Sequence, residues 1–177
     1  ILMCDAAFSP NGTLYVLENA SSKRVFTVNL SNAALTYVGT PTALISALEF
    51  ASNGTLYASF ADLFTLNAND MSTVTTVGDL GVYVSQLTFG SGGTLYGMDY
   101  NPSTHIYSVN LSTGLATSVT VVGSSGLSSL VAERTATTFP APYLSGSPVY
   151  KLSSPHDVDA LLNMEKEIKS ARKRLLP

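Results

Sequence analysis

Phe8-Ser-Pro-Asn-Gly-Thr-Leu-Tyr15 returns as Phe50-Ala-Ser-Asn-Gly-Thr-Leu-Tyr57 and again as Phe89-Gly-Ser-Gly-Gly-Thr-Leu-Tyr96. The phenylalanines of the block sit at positions 8, 50 and 89, so its period is near forty residues. A period of that length marks an array of supersecondary units, each burying its apolar faces against a neighbour.

The likeness runs beyond the block. Each copy has a second apolar stretch ending in Asn, at Val25-Phe-Thr-Val-Asn29, Leu63-Phe-Thr-Leu-Asn67 and Ile106-Tyr-Ser-Val-Asn110. Each then closes on a Thr/Val stretch and a glycine: Thr36-Tyr-Val-Gly39, Thr75-Thr-Val-Gly78 and Thr120-Val-Val-Gly123. Ser46-Ala-Leu48 and Ser85-Gln-Leu87 lead into two of the copies, and Ser128-Ser-Leu130 begins a copy that never completes.

Four short β-rich stretches per unit, separated by Gly, Asn, Ser or Pro, predict a four-stranded antiparallel meander. Asn11-Gly12, Asn53-Gly54 and Gly92-Gly93 fall between the first and second strands, where a tight hairpin needs positive φ. Strands such as Leu14-Tyr-Val-Leu17 are apolar on both faces, as a sheet covered on both sides requires. The fold class is all-β, a β-propeller-like array of three four-stranded antiparallel blades. The blades span about 1–40, 41–80 and 81–124, and an extra strand follows at 125–134.

Leu87-Thr-Phe-Gly-Ser-Gly-Gly-Thr-Leu-Tyr-Gly-Met-Asp99, followed by Ile106-Tyr-Ser-Val-Asn-Leu-Ser-Thr-Gly114, resembles the blade repeat of secreted bacterial β-propeller proteins akin to the NHL, YVTN and SMP-30-like propellers. The resemblance covers residues 1–136. It implies a propeller fold and a set of roles that includes adhesins, surface-layer proteins, lactonases and lyases. No catalytic residue carries over, because the matching positions are turns and core strands. Closed propellers have four to eight blades, and three full units fall short of that.

After residue 136 the chain changes. Residues 137–153, with Pro140, Pro142 and Pro148, read as an extended Pro/Ser-rich linker. Residues 154–177 read as an amphipathic helical arm, with Ser154 as N-cap, Pro155 in the first turn and Asp157 complementing the dipole. Leu161, Met164, Ile168, Ala171 and Leu175 form its apolar stripe. Two heptads are fewer than a coiled coil needs, so the stripe reads either as flank packing or as a contact to another subunit.

The 177 residues are 45% apolar and only 12% charged. Residues 1–136 carry three basic side chains against eight acidic ones, which argues against nucleic-acid binding. No apolar run is long enough to span a membrane. One cysteine, Cys4, excludes an internal disulfide. Ile1-Leu-Met-Cys4 reads as a buried first strand rather than a lipoprotein box, since Met precedes the Cys and no basic start is present. Asn11, Asn19, Asn29, Asn53 and Asn110 head N-glycosylation sequons, although Asn also suits these turns for its bonds to the local backbone.

Catalytic constellations are sparse. His105, in a turn, and His156 make no metal-ligand pair, and no G-x-S-x-G elbow occurs. Cys4 reads as a small core residue. Asp62, Asp70, Asp79 and Asp99 could converge at a propeller mouth on Ca²⁺, the one cofactor in view; otherwise no cofactor is expected. Tyr83, Tyr100 and Tyr107 could stack on sugars or complete blade packing.

Incomplete closure leaves an apolar blade face bare; two chains pairing or a fibre would cover it, and a third resolution is that the chain is a fragment of a longer propeller. The expectation is therefore a non-enzymatic, structural, self-assembling protein, extracellular or at the cell surface. Its partners would be copies of itself or other subunits of a large assembly, reached through Leu127, Leu130 and Val131 in the spare strand and Leu161, Met164, Ile168 and Leu175 in the arm. The alternatives are a ligand-binding or Ca-dependent hydrolase or lyase propeller, and an adhesin that binds glycans.

Overall fold

The computed structural model describes residues 2–71, 74–99, 104–122 and 130. Twelve strands among them form three four-stranded sheets, each an antiparallel meander in chain order. The first blade is β1 (Met3–Phe8), β2 (Leu14–Glu18), β3 (Val25–Val28) and β4 (Leu35–Gly39). The second is β5 (Ala47–Phe50), β6 (Leu56–Ser59), β7 (Asp62–Leu66) and β8 (Val74–Asp79). The third is β9 (Gln86–Phe89), β10 (Leu95–Met98), β11 (Thr104–Val109) and β12 (Ala116–Val122). Three blades of four strands are what the repeat predicts. The spare strand at 125–134, the linker and the helical arm lie outside the described residues, apart from a half-buried Leu130.

Each quoted block is the first hairpin of a blade. Its turn is wider than the two-residue hairpin expected, because β1 stops at Phe8 and β2 starts at Leu14. The Ser9 N–H donates to Thr13 O and the Gly12 N–H to Ser9 O, both at 2.9 Å, and the same pair recurs at Ala51–Thr55 and Gly90–Thr94. Only the second residue of each pair takes positive φ: Gly12 (+86°), Gly54 (+89°) and Gly93 (+79°). Asn11 and Asn53 keep ordinary φ and use Oδ1 to accept the Thr13 and Thr55 N–H groups. A register shift recurs at the outer hairpin of every blade, between Val25 and Phe26, Leu63 and Phe64, and Ile106 and Tyr107. Such bulges add local twist.

Two apolar clusters join the blades. Leu17 and Val25 of the first blade pack with Leu48, Phe50, Leu56 and Phe64 of the second. Ala47 and Leu63 pack with Leu87, Phe89, Leu95 and Val109 of the third. The second blade is thus apolar on both faces because both are covered.

The closing glycines sit at these seams. A Cβ on Gly39 would collide with the backbone carbonyl of Asp70, and one on Gly78 with that of Thr113. The outer strand of one blade therefore lies against the last turn of the next, with no room for a side chain. The first blade departs in one respect. Only Ala7 is buried in β1, so the expected buried first strand is largely exposed. Phe8 is 41% exposed, whereas its repeat equivalents Phe50 and Phe89 are 2% and 7% exposed.

Candidate functional site

β1, β5 and β9 are the edge strands of their sheets and pair on one side only. Their other backbone N–H groups need acceptors. Two carboxylates supply them across the seams. The Leu48 N–H donates to Asp5 Oδ2 at 2.6 Å, and the Phe89 N–H donates to Glu49 Oε1 at 3.4 Å. Asp5 lies on β1 and Glu49 on β5, so consecutive edge strands each carry one acid.

Burial pushes the Asp5 carboxyl up to about 7. The N–H groups of Leu48 and Ala6 pull against that rise, and the charge of Glu49 adds to it. A carboxyl that exchanges its proton near neutrality, beside a second carboxylate, is suited to general acid–base work. Neither acid belongs to the repeat: the slot of Asp5 holds Ala47 and Gln86 in the other blades, and that of Glu49 holds Ala7 and Thr88.

Ca²⁺ takes six to eight oxygen ligands. Asp5 and Glu49 offer the right donor type, but among the described residues no group of three His, Cys, Asp or Glu side chains converges. The expected convergence of Asp62, Asp70, Asp79 and Asp99 is corrected by the same observation. Asp62 and Asp79 face each other in register on β7 and β8, and Asp79 Oδ1 accepts the Gly81 N–H in a turn. Asp99 belongs to a different constellation in the third blade.

There His105 corrects the turn assignment, since it lies in β11. Its Nδ1 is 3.0 Å from Asp99 Oδ2, and its backbone N–H donates to Asp99 Oδ1 at 2.8 Å. The Tyr107 hydroxyl donates to Asp99 Oδ2 at 2.9 Å. Burial disfavours the Asp99 carboxylate, but the bonds from His105 and Tyr107 outweigh it and hold the group below its ordinary range. Burial and then the bond to Asp99 push the Tyr107 hydroxyl up to about 12.

The trio resembles a catalytic dyad with a tyrosine, yet the first blade shows what it does. Glu18 and Arg24 occupy the positions of Asp99 and His105. Arg24 donates to Glu18 through Nε at 2.7 Å and Nη2 at 2.6 Å. An acid ending the second strand and a base opening the third clamp the same hairpin in both blades. Asp99–His105 is therefore read as that clamp.

Cys4 fills the slot of Ser46 and Ser85. Those hydroxyls donate to Ser59 O and Met98 O at 3.1 Å, and Cys4 Sγ approaches the equivalent Leu17 O at 3.6 Å. It packs against the first cluster, as a core residue should. Asn11, Asn19, Asn29, Asn53 and Asn110 are all exposed. Four of them accept a backbone N–H two residues on. Tyr83 is exposed and packs on Phe60 with ring centroids 5.0 Å apart. Tyr100, Leu127, Val131, His156, Leu161, Met164, Ile168 and Leu175 lie outside the described residues.

No protein-family profile and no curated protein matches the chain. Solved structures share its fold. Hydrazine synthase from Kuenenia stuttgartiensis aligns with 72% of this chain and 38% of its own, at 17% identity and a TM-score of 0.52. A protein of unknown function from Bacteroides thetaiotaomicron aligns with 64% of this chain and 32% of its own, at 18% identity and a TM-score of 0.53. A putative gluconolactonase aligns with 70% of this chain and 49% of its own, at 12% identity and a TM-score of 0.52. The chain thus spans a third to a half of the length of these structures, and at these identities the likeness establishes the β-propeller repeat fold. One expectation is overturned. A chain whose fold is shared by a putative gluconolactonase cannot be set down as non-enzymatic on its architecture.

Proposed function

We propose that this chain carries the acidic site of a ligand-binding propeller with hydrolase- or lyase-type chemistry. Asp5 is the proton-transfer group: burial keeps its proton exchangeable near neutrality, and the charge of Glu49 adds to that. The observation behind this reading is the pair of carboxylates on consecutive edge strands, one of them titrating at about 7. Its substrate class is a small ester or lactone. Asp5 would take a proton from water as the water oxygen adds to the carbonyl carbon, then return it to the departing alkoxide. The shared fold with a putative gluconolactonase supports the reaction class without identifying a substrate.

Ester and lactone turnover by the wild type, Asp5→Asn and Glu49→Gln, followed by pH-stat, tests it. Asp5→Asn is expected to lose on the order of a hundredfold in rate, the scale of a general-base contribution. The wild-type rate should rise through a limb near the Asp5 value of about 7. Full activity in Asp5→Asn would refute the assignment.

Association is a second element of the proposal. Phe8 is 41% exposed where its equivalents are covered by a preceding blade, so the outer face of the first blade suits a further blade face, from a copy of this chain or another subunit. An extracellular or cell-surface setting belongs to the same reading, on the strength of the low charge content.

A further inference from the structure

Between the first two blades, on the side of the quoted turns, lies an open cleft of about 340 Å³. Asn11, Tyr15, Ser52, Asn53, Ala68 and Asn69 are among the residues that line it. Its volume is at the small end of the range for ligand sites.

The lining contains no charged residue. It offers no counter-charge for a phosphate or carboxylate and no anionic oxygen for a metal ion. Several of its polar groups keep hydrogen-bonding capacity. Asn11 and Asn53 use Oδ1 to hold their turns, which leaves each Nδ2 as a donor. The side chains of Ser52 and Asn69 are not engaged by the turn bonds, in which Asn69 takes part only through its backbone N–H. Tyr15 is half-buried against Phe50, with ring centroids 5.0 Å apart. Amides, a hydroxyl and an aromatic ring lining one cleft suit a ligand with several hydroxyls around an apolar face.

The second seam is an internal control. There the Tyr57–Phe89 pair repeats the Tyr15–Phe50 contact, with centroids 5.7 Å apart. Gly92 stands in the slot of Asn53, Ser112 in that of Asn69, and Leu111 in that of Ala68. Leu111 packs against the second apolar cluster as Ala68 does against the first, with a bulkier side chain. The lining of the cleft at the first seam is therefore not repeated at the second.

We propose that this cleft binds a neutral pyranose sugar, with the ring face on Tyr15 and the hydroxyls on Asn11, Ser52, Asn53 and Asn69. The site is separate from the carboxylate pair. Titration of the ¹⁵N-labelled protein with glucose, galactose, mannose and N-acetylglucosamine tests it, with glucuronate and glucose 6-phosphate as charged counterparts.

At least one neutral sugar should shift the amides of residues 9–11, 52–54 and 68–69 saturably, with Kd of about 1–10 mM, the range of a small shallow site. The charged counterparts should bind at least about tenfold more weakly. Ala68→Leu, which copies the second seam, should abolish the saturable shift. Asn69→Ala removes a side chain that the turn does not use, and should weaken binding at least about fivefold; it decides the matter if Ala68→Leu fails to fold. Absence of a saturable shift with every neutral sugar would overturn the proposal. So would unchanged binding in Asn69→Ala, or equal affinity for the charged counterparts.

Discussion

Gly78→Ala isolates the requirement that joins one blade to the next. Gly78 lies on β8, opposite Leu63, and its α-carbon faces the last turn of the third blade. An added methyl would overlap the Thr113 carbonyl oxygen and sit 2.9 Å from the Thr113 carbonyl carbon. Carbon contacts settle at about 3.5–4 Å, so the seam has to open by on the order of 1 Å. The obstacle is backbone, and no rotamer change relieves it. A gap of that size forfeits roughly a quarter to a half of each dispersion contact across it. Val77, Leu80, Leu111 and Ala116 pack in the adjoining cluster and would share the loss. The expected cost is about 2–3 kcal/mol, the upper part of the range for overpacking a filled site. For a body of this size that lowers Tm by about 6–10 °C. Urea unfolding followed by far-ultraviolet circular dichroism measures it, with Gly92→Ala as control. Gly92 has ordinary φ and nothing within 4 Å of an added Cβ, so its change should stay within about 0.5 kcal/mol. A Gly78→Ala protein as stable as Gly92→Ala would refute the close approach.

Two further outcomes are expected. Asp5 has an ordinary value of 3.8 when unfolded and about 7 when folded, so between those values the folded chain holds a proton that the unfolded chain has lost. Raising pH through that window therefore favours unfolding. The contribution of Asp5 to stability should be largest below about pH 4 and fall by on the order of a few kcal/mol by pH 7. Asp5→Asn should remove most of that slope in urea titrations at pH 5 and pH 8, and an unchanged slope would contradict the assigned burial. Phe50→Ala empties a covered position and should cost about 3–5 kcal/mol, whereas Phe8→Ala should cost under about 1 kcal/mol in a monomer. If a further blade covers the Phe8 face, sedimentation should show the mass of the wild type falling in Phe8→Ala; equal masses would count against association through that face.

The blades were readable because the block at Phe8, Phe50 and Phe89 states each structural role three times. A turn glycine, a leading phenylalanine and a Thr-Leu-Tyr strand start recur at fixed offsets, and noise does not do that. The closing glycines at 39 and 78 were visible as punctuation, but their physical reason was not. The carbonyl that excludes a side chain belongs to the following repeat, and sequence spacing carries no seam geometry. His105 was misjudged for a similar reason. Alone it reads as a surface turn residue, while aligned on Arg24, with Asp99 on Glu18, it becomes the base of a hairpin clamp. The four aspartates thought to converge were chosen by residue type, and the topology places two of them opposite each other on β7 and β8.

Asp5 and Glu49 were missed because they sit inside apolar strands, where a search for loop chemistry does not look. The repeat nevertheless carried their signal. In an array every scaffold role is filled once per blade, so an acidic residue that appears in one blade only is not required by the blade. Glu49 stands between Leu48 and Phe50 where the first blade has Ala7, and Asp5 stands where the second has Ala47. Ala68 stands where the third has Leu111. These three departures mark two of the places where this propeller differs from its own average, the carboxylate pair and the open cleft. Both are positions at which a sister blade already shows a residue compatible with the fold, so substitution there separates function from stability more cleanly than at the repeated positions.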